Sequence, residues 1–160
     1  MKEIYLAAGC FWGTQAYFKK FKGIINTEVG YCNGNTVNPT YEEVCSQRTG
    51  FCECVYLQYD ESIISLKEIL LAYFKIINPT IRNRVGNDIG TNYRTGVYYT
   101  DENDKEIIDE VFNETQKEYT RPIVVEKGKL INYYKAEEYH QDYLDKNPNG
   151  YCHIPKELLQ

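Results

Sequence analysis

Apolar and β-branched residues come in short compact runs at 3–8, 24–29, 52–59 and 96–99, and each run predicts a strand. Between them the period lengthens. Residues 14–21 read as a helix stopped by Gly23. Residues 65–77 make the clearest helix: Ser65 and Glu68 form a capping box, and Leu66, Ile69, Leu70, Tyr73 and Phe74 fall on one stripe. Together these six elements run β-α-β-β-α-β, the split βαβ order of a ferredoxin-like core. A second long helix is expected over 101–119, with Ile107, Ile108, Val111 and Phe112 turned inward. Residues 123–126 and 130–134 read as strands around a Lys127-Gly128 turn, and 136–145 as a last helix. Segments 31–40, 78–94 and 147–152 are loops marked by Gly, Asn and Pro. The expectation is a single α+β domain over residues 1–160 with long loops, where function concentrates on a rigid scaffold.

Composition narrows the classes. A chain of 160 residues is long enough for one sizeable core. The formal net charge is -5 and no Lys/Arg cluster stands out, which argues against a nucleic-acid or anionic-membrane partner. Leu6-Ala7-Ala8-Gly9-Cys10 superficially resembles a lipoprotein cleavage site, but the apolar run before it is short and Glu3 interrupts it. No stretch is long enough to span a membrane. A cytoplasmic monomer with reduced thiols is therefore expected. In that setting the 6 cysteines point to catalysis or metal rather than to a disulfide scaffold.

Cys10 falls where a strand ends and a helix begins, and the free N–H groups of a helix start favour a thiolate. An unperturbed thiol of pKa ~8.5 is only about 3% ionised at pH 7, and half ionisation needs ~2 kcal/mol. A helix end supplies ~0.3–1 kcal/mol. Position alone is not enough, and a lone cysteine is more often a small buried apolar residue. The flanks raise the odds: Phe11 and Trp12, the only Trp, stand between Gly9 and Gly13 and put aromatic surface beside the sulfur.

Gly9-Cys10-Phe11-Trp12-Gly13 resembles the signature of the A-type peptide-methionine sulfoxide reductases. The resemblance continues in order through Gly30-Tyr31, the run from Asn38 to Cys45, Thr49-Gly50-Phe51-Cys52-Glu53, the run from Gly86 to Arg94, Tyr139-His140-Gln141, Asn147-Pro148 and Gly150-Tyr151-Cys152. It covers essentially the whole chain, and so many ordered motifs make a highly specific signal. The resemblance implies that Cys10 attacks the sulfoxide sulfur and that Phe11 and Trp12 wall a pocket for the substrate methyl group. Glu53 would protonate the sulfoxide oxygen and Tyr31 and Tyr93 would hydrogen-bond it. Asp88 would shape the loop carrying Tyr93, and Cys152 would be the resolving thiol. It also implies the S epimer at sulfur, free or in oxidised proteins, and thioredoxin as the reductant, with no cofactor and no metal.

Physical chemistry agrees with that assignment. A sulfoxide oxygen leaves poorly unless protonated, so the site needs an acid near neutral pH, and an apolar surround raises a carboxyl. Cys52, Cys54 and Val55 are candidates for that surround; without the motif, an exposed strand glutamate is the commoner fate. The resulting Cys10 sulfenic acid would condense with a second thiol, and a dithiol carrier would restore the enzyme. Cys152 suits this because Pro148, Asn149 and Gly150 give its loop freedom to approach, although a structural cysteine in a tail is the plainer reading.

Gln15 departs from a usual Glu, Phe51 from a usual His and Val85 from a usual Gln. No cysteine follows Cys152, so a relay through a third thiol is not expected. Cys32, Cys52 and Cys54 are extra thiols without a role, and Cys45 matches the family but reads as structural. A zinc module built from Cys32, Cys45, Cys52 and Cys54 is one alternative, weakened by the lack of a C-x-x-C pair. A thiol peroxidase using Cys10 is another, disfavoured by the aromatic pair.

Overall fold

A computed structural model describes residues 1–159; Gln160, the last residue of the expected domain, lies outside the described residues. Strands β1 (Lys2–Ala8), β2 (Ile24–Cys32), β3 (Cys52–Tyr59) and β6 (Thr95–Tyr99) form the core of a six-stranded sheet. The remaining sheet strands are β7 (Glu126–Lys129) and β8 (Tyr133–Lys135), and the order is β7-β6-β1-β3-β2-β8. The four central strands are antiparallel in the split βαβ order, as the sequence predicts. Helices α1 (Phe11–Lys19) and α3 (Leu66–Phe74) connect them, and α4 (Asp104–Gln116) packs against α3.

Because side chains alternate across a strand, each central strand feeds two cores. Ile4, Leu6, Val29, Tyr31, Val55, Leu57 and Val97 join Phe18, Ile69, Leu70 and Tyr73 in the larger, helix-covered core. Tyr5, Ala7, Cys32, Cys52, Cys54 and Tyr98 form a smaller cluster with Tyr133 on the opposite face. The Ser65–Glu68 capping box closes the start of α3.

Four sequence expectations need correction. Helix α1 begins at Phe11 rather than Thr14, which makes Cys10 its N-cap. The hairpin at Lys127-Gly128 does not form: β7 runs through these residues, parallel to β6, with Tyr98 opposite Gly128. The chain then crosses to the far edge, where β8 pairs with β2. No Asn-Gly or Asp-Gly turn stands at 127–128 to fold the segment back.

The helix expected over 136–145 breaks into a 3-10 turn at Glu138–His140 and helix α5 (Tyr143–Lys146). Gln141 breaks it, because its side-chain amide pairs with both the N–H and the C=O of Val29, and Asp142 then turns left-handed at φ 55°. Finally, the 78–94 loop holds structure, and residues 41–45, outside every expected element, form a short helix. Thr40 and Glu43 cap the short α2 (Tyr41–Cys45), and β4 (Arg84–Val85) turns through Gly86-Asn87 into β5 (Asp88–Ile89).

Candidate active site

The site gathers at the ends of β1, β2 and β3. Gly9 turns the chain at φ +79°, and a Cβ there would meet Val85 Cβ at 2.8 Å. That left-handed turn lets β1 feed directly into α1 and leaves Cys10 as the cap. The thiol is buried, at 6% exposure. Its backbone N–H donates to Asp88 Oδ2 at 3.3 Å. The next N–H, of Phe11, donates to Glu53 Oε1 at 3.1 Å. The first free donors of α1 thus hold two carboxyl groups beside the sulfur.

Glu53 is 1% exposed, and its Oε2 has no partner among the described residues. Burial pushes its carboxyl from the usual 4.5 up to about 8, against the pull of the Phe11 N–H. The surround is not the one the sequence indicates. Strand alternation sends Cys52 and Cys54 to the opposite face, and Glu53 stands with Val55 on the helix side, in register with Tyr31.

The Cys10 thiol is also raised, first by burial and then by the Glu53 charge, while the Trp12 backbone N–H pulls it down. The helix start therefore does not yield a resting thiolate. At neutral pH the site holds a thiol and a carboxylic acid side by side.

Aromatic residues enclose the rest. Trp12 stacks on Tyr143 with ring centroids 3.9 Å apart, and its indole N–H donates to His140 Nδ1 at 2.9 Å. His140 is fully buried against Phe11, Tyr41 and Tyr139. The indole can only donate, so the His140 proton sits on Nε2. Burial also lowers the imidazole, which keeps it neutral near pH 7. The sequence contains His140 in a recognised motif but gives it no task, and the same holds for Tyr41.

Tyr31 stands opposite Glu53 across the strands. The Tyr31 hydroxyl donates to Glu137 Oε1 at 2.7 Å, and Glu137 Oε2 accepts the Tyr41 N–H. Tyr93 is raised by burial and by the charges of Glu53 and Cys10. Asp88 also accepts the Tyr151 hydroxyl through Oδ1 at 2.8 Å. Cys152 follows and is already docked: a Cβ on Gly13 would meet its sulfur at 2.9 Å. All eight expected site residues converge.

The departures are accommodated. Gln15 is buried; its amide donates to Thr27 and its oxygen accepts the Asp142 N–H, tying α1 to the segment that carries Tyr143. Phe51 packs edge-on against Tyr134, and Val85 backs Gly9.

The proposed zinc set does not assemble. Cys32 and Cys52 face each other at 3.7 Å on the smaller core, whereas Cys45 is exposed on α2 and feels the charge of Glu53. No metal-binding group of three or more residues occurs among the described residues.

Residues 2–159 match the family model for peptide methionine sulfoxide reductase. The chain belongs to the peptide methionine sulfoxide reductase family. It is 56% identical over 160 residues to the peptide methionine sulfoxide reductase MsrA of Clostridium acetobutylicum, covering 100% of this chain and 99% of that one. The crystal structure of reduced Mxr1 from Saccharomyces cerevisiae superimposes with a TM-score of 0.89 at 38% identity, over 94% of this chain and 88% of that one. Mxr1 in complex with Trx2 superimposes with a TM-score of 0.63 at 25% identity, over 89% and 84% of the two chains. The chain is thus an oxidoreductase of the methionine sulfoxide reductase type, and no helix among the described residues is long and apolar enough to cross a membrane.

Proposed function

We propose that residues 1–160 act as one monomeric catalytic domain, in the cytoplasm, that reduces the S epimer of methionine sulfoxide, free or within proteins. The observation that carries the mechanism is the burial of Glu53 on the Phe11 N–H, next to the buried Cys10, which raises both groups. Substrate sulfoxide oxygen would take the proton of Glu53, whose unpartnered Oε2 is the free end of the carboxyl. Protonation makes the substrate sulfur electrophilic. Cys10 then attacks it, and the thiol proton passes back to the Glu53 carboxylate. The oxygen passes to the Cys10 sulfur as the substrate S–O bond and the transient bond between the two sulfurs break, releasing methionine and leaving a sulfenic acid, with Glu53 neutral again.

Phe11 and Trp12 would hold the methyl group, and Asp88 fixes the Cys10 backbone. Tyr93 would donate to the oxygen. Tyr31 can do so only by giving up Glu137 as its acceptor. Cys152 would condense with the sulfenic acid to a disulfide. A thioredoxin-type dithiol would then reduce that disulfide by exchange, a step supported by the Mxr1–Trx2 complex.

The test is Cys10→Ser assayed with separated sulfoxide epimers. No methionine should form from either, and the wild type should consume only the S epimer. Turnover by the variant would remove Cys10 as nucleophile.

A further inference from the structure

Among the buried titratable groups that the mechanism leaves unused, His153 stands beside the site. His153 follows Cys152 directly, and its side chain is 1% exposed. Its Nε2 lies 2.9 Å from the carbonyl of Ala8, the last residue of β1. A carbonyl only accepts, so Nε2 carries the hydrogen and Nδ1 is a bare lone pair. That Nδ1 is buried with no hydrogen-bond partner among the described residues. It lies 3.7 Å from Asp88 Oδ2, an oxygen that cannot donate when ionised. A lone pair facing a carboxylate is unfavourable; an N–H⁺ there is favourable. The arrangement awaits a proton.

Cys152 brings a labile proton to the same place, one that its thiol now donates to the Ile154 carbonyl at 3.6 Å. A Cβ placed on Gly13 would meet Cys152 Sγ at 2.9 Å and His153 Nδ1 at 3.2 Å, so the thiol and the imidazole share one patch of α1, three residues after Cys10. The thiol needs help. Burial and the Asp88 charge raise it above the ordinary range, which makes it a poor nucleophile unaided. His153 is itself lowered by burial and is neutral near pH 7, free to accept.

We infer that His153 is the proton acceptor for the resolving step, with Asp88 stabilising the imidazolium that forms. The inference rests on Cys152 being the resolving thiol. In the step, the Cys152 proton passes to Nδ1 and the Cys152 sulfur bonds to the Cys10 sulfur. The S–O bond of the sulfenic acid breaks, and its oxygen leaves as water with a proton from Glu53. Cys152 is oxidised and Cys10 reduced by the same pair of electrons. The imidazolium proton then returns to Glu53 through solvent. Asp88 on β5 faces His153, Tyr151 and Cys152 flank it on its own segment, and Arg84 is turned onto the Gly86 carbonyl.

The experiment mixes reduced protein with one equivalent of a methionine sulfoxide peptide, without thioredoxin. Acid quench, alkylation and mass mapping then follow methionine release and the Cys10–Cys152 disulfide separately, from pH 6 to 9. His153→Gln should release one methionine per chain at the wild-type rate, which also shows that the variant folds. Its disulfide should form about a hundredfold more slowly at pH 7. That deficit should shrink as the pH rises and the Cys152 thiol ionises unaided. A wild-type disulfide rate, or a deficit equal at every pH as a purely structural role would give, overturns the inference. Cys152→Ser is the separate control. If that variant sustains many turnovers with thioredoxin, the resolving role of Cys152 has failed and the inference falls with it.

Discussion

Glu53 titrates near pH 8 in the fold and around 4.5 in an ordinary environment. A raised folded value means that the native state binds the proton more tightly than the unfolded chain. The associated stability is fully present below about pH 4.5 and is lost progressively as pH rises towards 8. Glu53→Gln cannot ionise and escapes that loss. It should therefore gain on the wild type between pH 5 and 8, by roughly 3 kcal/mol at pH 7, in urea unfolding at each pH. The same substitution should slow single-turnover methionine release by about a hundredfold. Wild-type activity should fall as pH passes 8 and the acid ionises. A variant that is active and no more stable would remove Glu53 from the acid role. A second residue-scale test uses the lone tryptophan as its own reporter. His140→Phe keeps the aromatic packing but removes the acceptor of the Trp12 indole N–H, a bond of about 1 kcal/mol. KM should rise several-fold with kcat nearly unchanged, and Trp12 emission should shift. An unshifted spectrum would mean that His140 does not set the indole.

Turns position the reacting groups in this protein more than helices do. Gly9 is the sharpest case, being left-handed and in contact with Val85. Gly9→Ala should cost about 2–4 kcal/mol in urea unfolding from backbone strain and overpacking together. A loss below 1 kcal/mol would show that the turn relaxes freely. Much of this level was legible in the sequence. Helix α3 was plain from its stripe and cap, and the Thr40-x-x-Glu43 box that opens α2 was equally available to the same rule. The break at Gln141 was not, because it depends on a side chain pairing with the backbone of a strand 112 positions away. Glu53 divides the two cases. Alternation along 52–54 separates it from Cys52 and Cys54 on sequence grounds alone. That Tyr31 pairs with it across the strands, and that Phe11 donates to it, required the register.

At the scale of the whole molecule the six thiols fall into distinct environments. Cys45 is exposed and Cys152 half-buried, whereas Cys32, Cys52 and Cys54 are enclosed in the smaller core. Native protein treated with a bulky alkylating agent should lose Cys45 fastest, then Cys152 and Cys10, and keep the three enclosed thiols until unfolded. Early labelling of Cys52, read by peptide mapping, would contradict the packing of that face. The sheet consequently works as an insulating wall between two chemistries. A protein whose catalytic cycle generates a sulfenic acid risks capture by any thiol within reach. Here three of its own thiols stand one residue away from the acid or from Tyr31 along the strands, yet on the far side of the pleat. Single-residue alternation thus acts as a shield, keeping the oxidising equivalents on the path from Cys10 outward and away from the interior that holds the strands together.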